Sequence, residues 1–499
     1  MALAINVLTA WFNGGYLHPD EHWQIVEFAW YKLGHQPVSV LPWEFAAHAR
    51  AGFLPWLTAA VVTLMRAAGV FSPFVAAFLL RLASALLGLW VSLRLAVWIL
   101  PTIRRLEYRR LAFYGTLFLW VAPFLHARFS AESWGASLMF LGLTLLLDAD
   151  AACGTGGERS NVSMPARAAA LAACAGLAWG FAFFCRVQMA PSIVGAGLWL
   201  LVYRRGTWRL LAVAVAAFVV ASVANVAIDH WLYDAWVFTP FQYFNVNALQ
   251  GRAAALGTSP WWMTVAPLLL LVLPPFSVLA LAALLIGAWT CRRHVLAWTM
   301  VPFVVAHAAV GHKELRFMVP MLFPIVLALP VALDHLPARL AAWLDAPRLT
   351  ALRAVSLWLI VISNTAALVV VTFITASPTF PLIEKVAELG GSHPARLLVI
   401  PTGPAQHGLD PWQGMTFYRP DTVSAELVPD GPDLVRAASA PAGTTVLVLE
   451  AGRTPPASLS AAGVRCVPRA VSLARMTDRF DLVGLIANKP VWTLWEVER

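Results

Sequence analysis

Charge is scarce in this chain: 12% of its 499 residues are Asp, Glu, Lys or Arg against roughly 25% in a soluble domain, while 60% are hydrophobic. A string of soluble domains is thereby excluded. Lysine is rarest, with Lys32, Lys313, Lys385 and Lys489 the only four among 35 basic residues. Few Lys beside abundant Ala, Gly, Pro and Arg points to coding by a GC-rich, bacterial genome. The five cysteines (Cys153, Cys174, Cys185, Cys291, Cys466) follow no metal or disulfide spacing, so no disulfide framework is expected. Period-two alternation is missing from the apolar runs, which excludes an outer-membrane barrel. Met1 to Phe12 lacks both a basic start and a small-residue cleavage site, so no cleavable signal peptide is expected. The net charge of +9 does not indicate nucleic acid, because Arg clusters at the ends of apolar runs, where membrane orientation is set.

What remains is an all-α polytopic membrane protein. A crossing takes about 20 apolar residues. Such runs lie near 79–101, 111–127, 131–148, 168–184, 189–203, 210–228, 263–290, 295–310, 318–333 and 354–375, with a short first one at 1–16, which predicts eleven spans. Arg104, Arg105, Arg109 and Arg110, then Arg159 and Arg167, Arg204, Arg205 and Arg209, Arg292 and Arg293, and Arg339, Arg348 and Arg353 fall in alternate loops, which are assigned to the cytoplasm. The outer side, periplasmic in a bacterial inner membrane or lumenal in an endoplasmic reticulum, then receives 17–78, 128–130, 185–188, 229–262, 311–317 and everything after 376. Phe53 to Val70 carries Pro55 and Arg66 and reads as a re-entrant or interfacial helix on that side. After Thr375, Pro, Gly and acids become frequent, and β-type runs occur at Leu397–Ile400, Thr445–Leu449, Val464–Val467 and Val491–Val497. The expected division is a transmembrane domain over 1–376 and a small extramembrane α/β domain over 377–499. No internal repeat and no matched broken helices of the transporter kind are evident.

Polar residues concentrate in two places. The first is Leu17-His18-Pro19-Asp20-Glu21-His22-Trp23-Gln24-Ile25-Val26-Glu27, where Pro19 suits a first helical position and the helix predicted after it sets Asp20, Gln24 and Glu27 on one face. These acids could merely favour a helix N-terminus. His18 and His22 at i and i+4 could hold a metal, but no third well-placed ligand and no HExxH pattern accompany them, and no metal is expected. The second place is Gly311-His312-Lys313-Glu314-Leu315-Arg316-Phe317, between two apolar runs on the outer side. Snorkelling would explain Lys313 and Arg316 alone, but not their place on the side that should be poor in positive charge. Arg50, Arg128 and Arg186 also end outward-going segments. Cations opposite an acidic cluster suit an anionic phosphate, and thus group transfer from a lipid phosphate.

The residues that carry this reading also match a known pattern. His18-Pro19-Asp20-Glu21-His22-Trp23-Gln24, Trp43-Glu44 followed by Arg50, and His312-Lys313-Glu314-Leu315-Arg316-Phe317 resemble, in order, the HPDE-x-x-Q, TWE…RS and HKE-x-RF signatures of glycosyltransferase family 22. Within that family the likeness is to the GPI mannosyltransferase 3 group. Arg128-Phe129-Ser130-Ala131-Glu132 is similar to an RTxSN segment, and Asp229-His230-Trp231-Leu232-Tyr233 with Gly257-Thr258-Ser259-Pro260-Trp261-Trp262 to D-x-x-x-Y and G-x-HPW-x-W stretches. Pro42, Ala51, Ala131 and Ser259 depart from the pattern.

The resemblance implies a GT-C fold whose large first outer loop (17–78) carries the catalytic acid, with a second outer loop at 229–262. It also implies an inverting mannosyltransferase that uses a polyprenyl-phosphate (dolichol-phosphate-type) mannose donor. The acceptor would be a hydroxyl of a lipid-linked or GPI-like glycan, and the product an α-mannoside, α-1,2 in the nearest group. Asp20 and Glu21 are the catalytic candidates. His312, Lys313, Arg316, Arg128 and Arg186 are candidates for the donor phosphate, and His18, His22, Gln24, Glu44, Arg50 and Trp261 for acceptor or loop contacts. No cofactor is needed, since Lys and Arg can neutralise one phosphodiester. The alternatives are a GT-C transferase of another sugar or with a protein acceptor, and a lipid-linked sugar flippase or ion-coupled transporter. A transporter would place its acids at the bilayer midplane, not at a span boundary.

Overall fold

The structure, a computed structural model, describes residues 1–498 apart from 155–163, 205, 267–274, 392, 402–415, 440, 442 and 473–490. Arg159 and Arg205 of the expected basic loops, and 267–274 of the expected run 263–290, lie outside the described residues.

Each of the eleven apolar runs contains helix among the described residues, but the helices differ in length. Among the described residues, six helices are long and apolar enough to cross a membrane: Pro73–Thr102, Ala131–Ala152, Ala166–Cys185, Trp208–Tyr233, Leu315–Asp334 and Pro347–Phe373. Phe276–Thr290 and Val295–Ala309 form a pair bent by 116°. Ala2–Phe12 and Ala190–Tyr203 are shorter, and the run 111–127 is split into Leu106–Phe118 and Val121–His126. The split has a local cause. Pro123 has no N–H to offer the Leu119 carbonyl, and Asn364 satisfies the opened backbone, donating to Phe118 O (2.7 Å) and accepting from Trp120 N–H (2.9 Å). Phe53–Ala67 is a 15-residue helix, short for a crossing.

The chain forms two compact units. The first comprises Met1–Trp11, Ala46–Trp56 and Leu80–Thr372 and is a helical bundle. Its core joins small residues such as Ala172, Ala175 and Ala214 to Phe140, Leu143 and Trp179. Small residues let the backbones touch: a Cβ on Gly176 would fall 2.0 Å from the Ala214 carbonyl oxygen, so only glycine fits there. Arg94 pairs with Asp148, which also accepts from Trp98 Nε1 (2.9 Å).

The second unit comprises Phe12–Phe45, Leu57–Leu79 and Phe373–Arg499. Strands β1 (Ala395–Val399), β2 (Val423–Leu427), β3 (Thr445–Ala451), β4 (Arg465–Val471) and β5 (Trp492–Glu498) form one sheet in the order β2-β1-β3-β5-β4. β1 runs parallel to both β2 and β3, while β5 is antiparallel to β3 and β4. Edge strand β4 tolerates Pro468, next to which the register shifts. One sheet face (Leu398, Val446, Val448, Trp495) packs on Leu434 and Leu459 of two short helices. The other face (Leu397, Val399, Leu447, Leu449, Leu494) shares a core with Phe380, Ile383 and Val386, and also with Trp23, Val26, Trp30, Val62 and Met65. The stretch 377–499 is therefore not alone in its unit: the segment bearing Asp20 is built into the same core.

Candidate active site

The acidic motif lies in the second unit. His18 caps a short helix, Pro19–Glu21, by accepting the Asp20 N–H on Nδ1 (3.2 Å), and Pro19 fills the first helical position, which needs no donor. Glu21 reaches back to accept the N–H of Leu17, the residue before that cap (3.4 Å). The Asp20 side chain keeps 23% of its surface exposed, with Oδ1 3.4 Å from His18 Nδ1. The chain then widens into a π turn over His22–Val26, closed by the Glu27 N–H bonding to the His22 carbonyl. This corrects the regular helix expected here: one extra residue in the turn puts Glu27 beside His22, with Oε1 2.7 Å from His22 Nε2. Gln24 instead donates to Glu44 (2.9 Å), so the first motif and the Trp43-Glu44 motif meet in a buried hydrogen bond. His22, Gln24 and Glu44 are all buried. Tyr16, just ahead of the motif, has its phenol pushed up to about 12, chiefly by burial.

The basic motif lies in the first unit. Arg186 pairs with Glu132, and the same Glu132 oxygen lies 3.7 Å from Arg316 Nη1. Glu314 bonds Arg316 Nε (2.5 Å) and His312 Nε2 (2.9 Å). The guanidinium groups of Arg186 and Arg316 also lie 5.6 and 5.5 Å from the centroid of the Phe317 ring. Glu132 and Phe317 thus hold two cations together that would otherwise repel. His312 Nδ1 donates to Gly257 O (3.0 Å), and Ser259 N–H donates to Gly311 O (2.9 Å), which fastens the Gly257–Trp262 stretch to the basic motif. Lys313 caps the helix Val295–Ala309, its Nζ donating to the carbonyls of His307 (2.9 Å), Ala308 (3.1 Å) and Val310. Partial burial holds its ammonium below the usual lysine range. Arg128 is buried over the Phe124 ring and donates to the Phe124 carbonyl (3.3 Å). Trp261 stands exposed in the turn Trp261–Thr264.

A third arrangement in that unit fixes Arg50. Asp229 and Tyr233, one helical turn apart, face the same loop: Asp229 accepts from Gly52 N–H (2.7 Å) and Thr239 Oγ1 (2.7 Å), and the Tyr233 hydroxyl donates to Arg50 O (2.6 Å). The guanidinium of Arg50 sits 5.3 Å from the Tyr243 ring centroid, and the Tyr243 hydroxyl accepts from Gln188 (2.9 Å). His48 in the same loop takes a left-handed backbone, φ 50°, which a non-glycine residue adopts only under constraint.

The profile of the Alg9-like mannosyltransferase family matches residues 1–394. The chain belongs to this family. Among its Alg9-like relatives, GPI mannosyltransferase 3 of Yarrowia lipolytica is 30% identical over 168 residues, which cover 33% of this chain and 32% of that one. GPI mannosyltransferase 3 of Drosophila melanogaster is 23% identical over 330 residues, 64% of this chain and 53% of that one. The chain therefore spans about a third of the former relative (32%) and about half of the latter (53%). The crystal structure of ArnT from Cupriavidus metallidurans bound to undecaprenyl phosphate superposes with a TM-score of 0.52 at 16% identity, covering 99% of this chain and 96% of that one. That likeness concerns the fold. This Alg9-like chain is a multi-pass GT-C membrane protein with a small terminal sheet domain.

Sequence reasoning did not assign Glu132, Glu314, Asp229 or Glu27 to the site. Glu132 sits in the first turn of a helix capped by Ser130, where an acid is ordinary. A usable signal was its place at the same outward end as Arg186, on the next apolar run. Asp229 and Tyr233 were quoted as a motif, but what they grip is not written in their spacing.

Proposed function

We propose that this Alg9-like chain is an inverting mannosyltransferase that takes mannose from a polyprenyl-phosphate donor and delivers it to a hydroxyl of a lipid-linked or GPI-like glycan. The carrying observation is the basic motif, in which Arg186 and Arg316 are held side by side by Glu132 and Phe317, with His312 and Lys313 on the same loop. Such a cluster suits a phosphate that gains charge during the reaction. In the transfer, Asp20 takes the proton of the acceptor hydroxyl. The hydroxyl oxygen attacks the anomeric carbon opposite the phosphate, the bond from that carbon to the phosphate oxygen breaks, and the electron pair leaves with the polyprenyl phosphate. One displacement inverts a β-linked donor to an α-mannoside. Glu21, engaged with the Leu17 N–H, shapes the turn that presents Asp20. The arginines, His312 and Lys313 stabilise the second negative charge that the leaving phosphate acquires. The relatives' names support the sugar, and ArnT, whose fold is shared, is bound to undecaprenyl phosphate. The reaction takes place on the outer face, where Asp20, the basic motif and the terminal domain are assigned.

The deciding experiment offers purified protein radiolabelled polyprenyl-phosphate mannose and a lipid extract of its host. A labelled glycolipid sensitive to α-mannosidase is expected. Transfer of another sugar from its polyprenyl phosphate, with none from the mannose donor, would replace this reading with a GT-C transferase of different donor. Movement of lipid-linked sugar across vesicles without transfer would replace it with a flippase.

A further inference from the structure

Residues 395–499 lie beyond the stretch matched by the family profile. They nevertheless supply a turn, Thr416–Tyr418, that closes on the helix following Asp20. Glu27 is fully buried and is the knot of this contact. It accepts from Thr416 Oγ1 (2.7 Å) and from the Phe417 N–H (3.2 Å), while its Oε1 also meets His22 Nε2 (2.7 Å). Gln36 completes it, donating to the Glu27 carbonyl (2.6 Å) with its Oε1 2.6 Å from the Thr416 hydroxyl. The His22 ring is stacked between Tyr418 (5.5 Å, 16°) and Tyr16 (6.2 Å, 29°), and Phe417 meets Trp30 edge-on at 5.2 Å.

Apolar residues alone could join a sheet to a helix, and a buried carboxylate is a poor choice for adhesion because of its desolvation. A carboxylate with directed donors does something else: it fixes orientation. Here the fixed groups are His22 and the π turn, two residues after Asp20 in sequence. We propose that Glu27 is a positioning residue through which the Thr416–Tyr418 turn of the terminal domain sets the orientation of the Asp20 motif, which makes the sheet domain a working part of the transferase. The proposal rests on Asp20 being the base, and its test separates the two.

The full-length protein is assayed for mannose transfer, with kcat and donor KM read separately, alongside amide hydrogen exchange over residues 18–32. Thr416→Val keeps the shape and deletes the hydroxyl, and Tyr418→Leu deletes the stacked ring. Each should lower kcat roughly 5- to 30-fold with donor KM within about twofold, and Thr416→Ser should restore most of the loss. Glu27→Gln should lower kcat at least as far, and adding Thr416→Val to it should cost little more, because both remove one interaction. Exchange over 18–32 should quicken in Thr416→Val. Unchanged kcat in Thr416→Val and Tyr418→Leu, fully multiplicative losses in the double variant, or unchanged exchange would each overturn the proposal. If Glu27→Gln fails to accumulate, the Thr416 and Tyr418 variants decide alone. Full turnover in Asp20→Asn together with quickened exchange in Thr416→Val would remove the base assignment and leave the grip standing.

Discussion

Asp20 and Glu21 are adjacent, yet their surroundings give them different tasks. Glu21 is tied to the Leu17 N–H, whereas Asp20 keeps 23% of its side chain open beside a capping histidine. Asp20→Asn should therefore lower kcat by about two orders of magnitude or more, the usual weight of a positioned base, with the thermal midpoint nearly unchanged. Normal turnover would transfer the role to Glu21. Among the basic residues, Arg316 is held by Glu132, Glu314 and Phe317, and Lys313 by three carbonyls. Lys313→Ala and Arg316→Ala should each raise donor KM and lower kcat, since a leaving phosphate carries more charge in the transition state than in the bound donor. Unchanged donor kinetics in both would remove the basic motif from the reaction. The identities of these residues were legible because charge is so scarce in the chain. Their counter-charges were not, because Glu132 lies 54 residues from Arg186 and resembles any acid at a helix start.

At the scale of elements, the apolar runs were readable because a membrane-crossing helix must satisfy its own backbone, which demands length and little else. Their interruptions were less readable. The backbone opened by Pro123 is satisfied by Asn364, 244 residues away from Trp120, and the π turn at His22–Val26 leads into Glu27, which accepts from the turn at Thr416. Strand β2, Val423–Leu427, escaped notice because it is an edge strand whose Ser424 is exposed and Glu426 only partly buried, leaving no apolar run. The sheet carries its own titration. Burial, with Asp430 adding to it, pushes the Glu450 carboxyl from an ordinary 4.5 up to about 7. The folded state then holds the proton more tightly than the unfolded chain, so stability declines as pH rises from about 4.5 to about 7 and stays lower above that. Glu450→Gln should raise the melting midpoint at pH 8 by roughly 1–3 °C, an effect kept small by solvent screening, and the gain should vanish near pH 4. An equal gain at both pH values would locate the cause elsewhere.

For the whole molecule, sidedness decides whether the scheme can run. A polyprenyl-phosphate sugar used on the outer leaflet requires the basic motif and Asp20 on that side, and the Arg-rich loops argue for it. In a variant without native cysteines, Ser424→Cys should react with a membrane-impermeant maleimide on spheroplasts, and Ala338→Cys only after lysis. The reverse pattern would discard the mechanism. The general plan of spans and a terminal α/β domain was legible because composition changes abruptly after Thr375. The union of residues 12–45 with the sheet was not, because the unit joins Phe12–Phe45 and Leu57–Leu79 to Phe373–Arg499, much later in the chain. This discontinuity has a consequence in time. Glu27 and Thr416 are 389 residues apart, and at roughly 5 to 20 residues per second a ribosome needs about 20 to 80 s to make the second after the first. Throughout that interval the Asp20 segment is without the turn that Glu27 binds in the folded protein. A chain that stops early, or is cut before Thr416, would carry every signature motif and still lack the contact proposed to orient the Asp20 segment. On the proposal above, competence would follow only once the Thr416–Tyr418 turn has been synthesised.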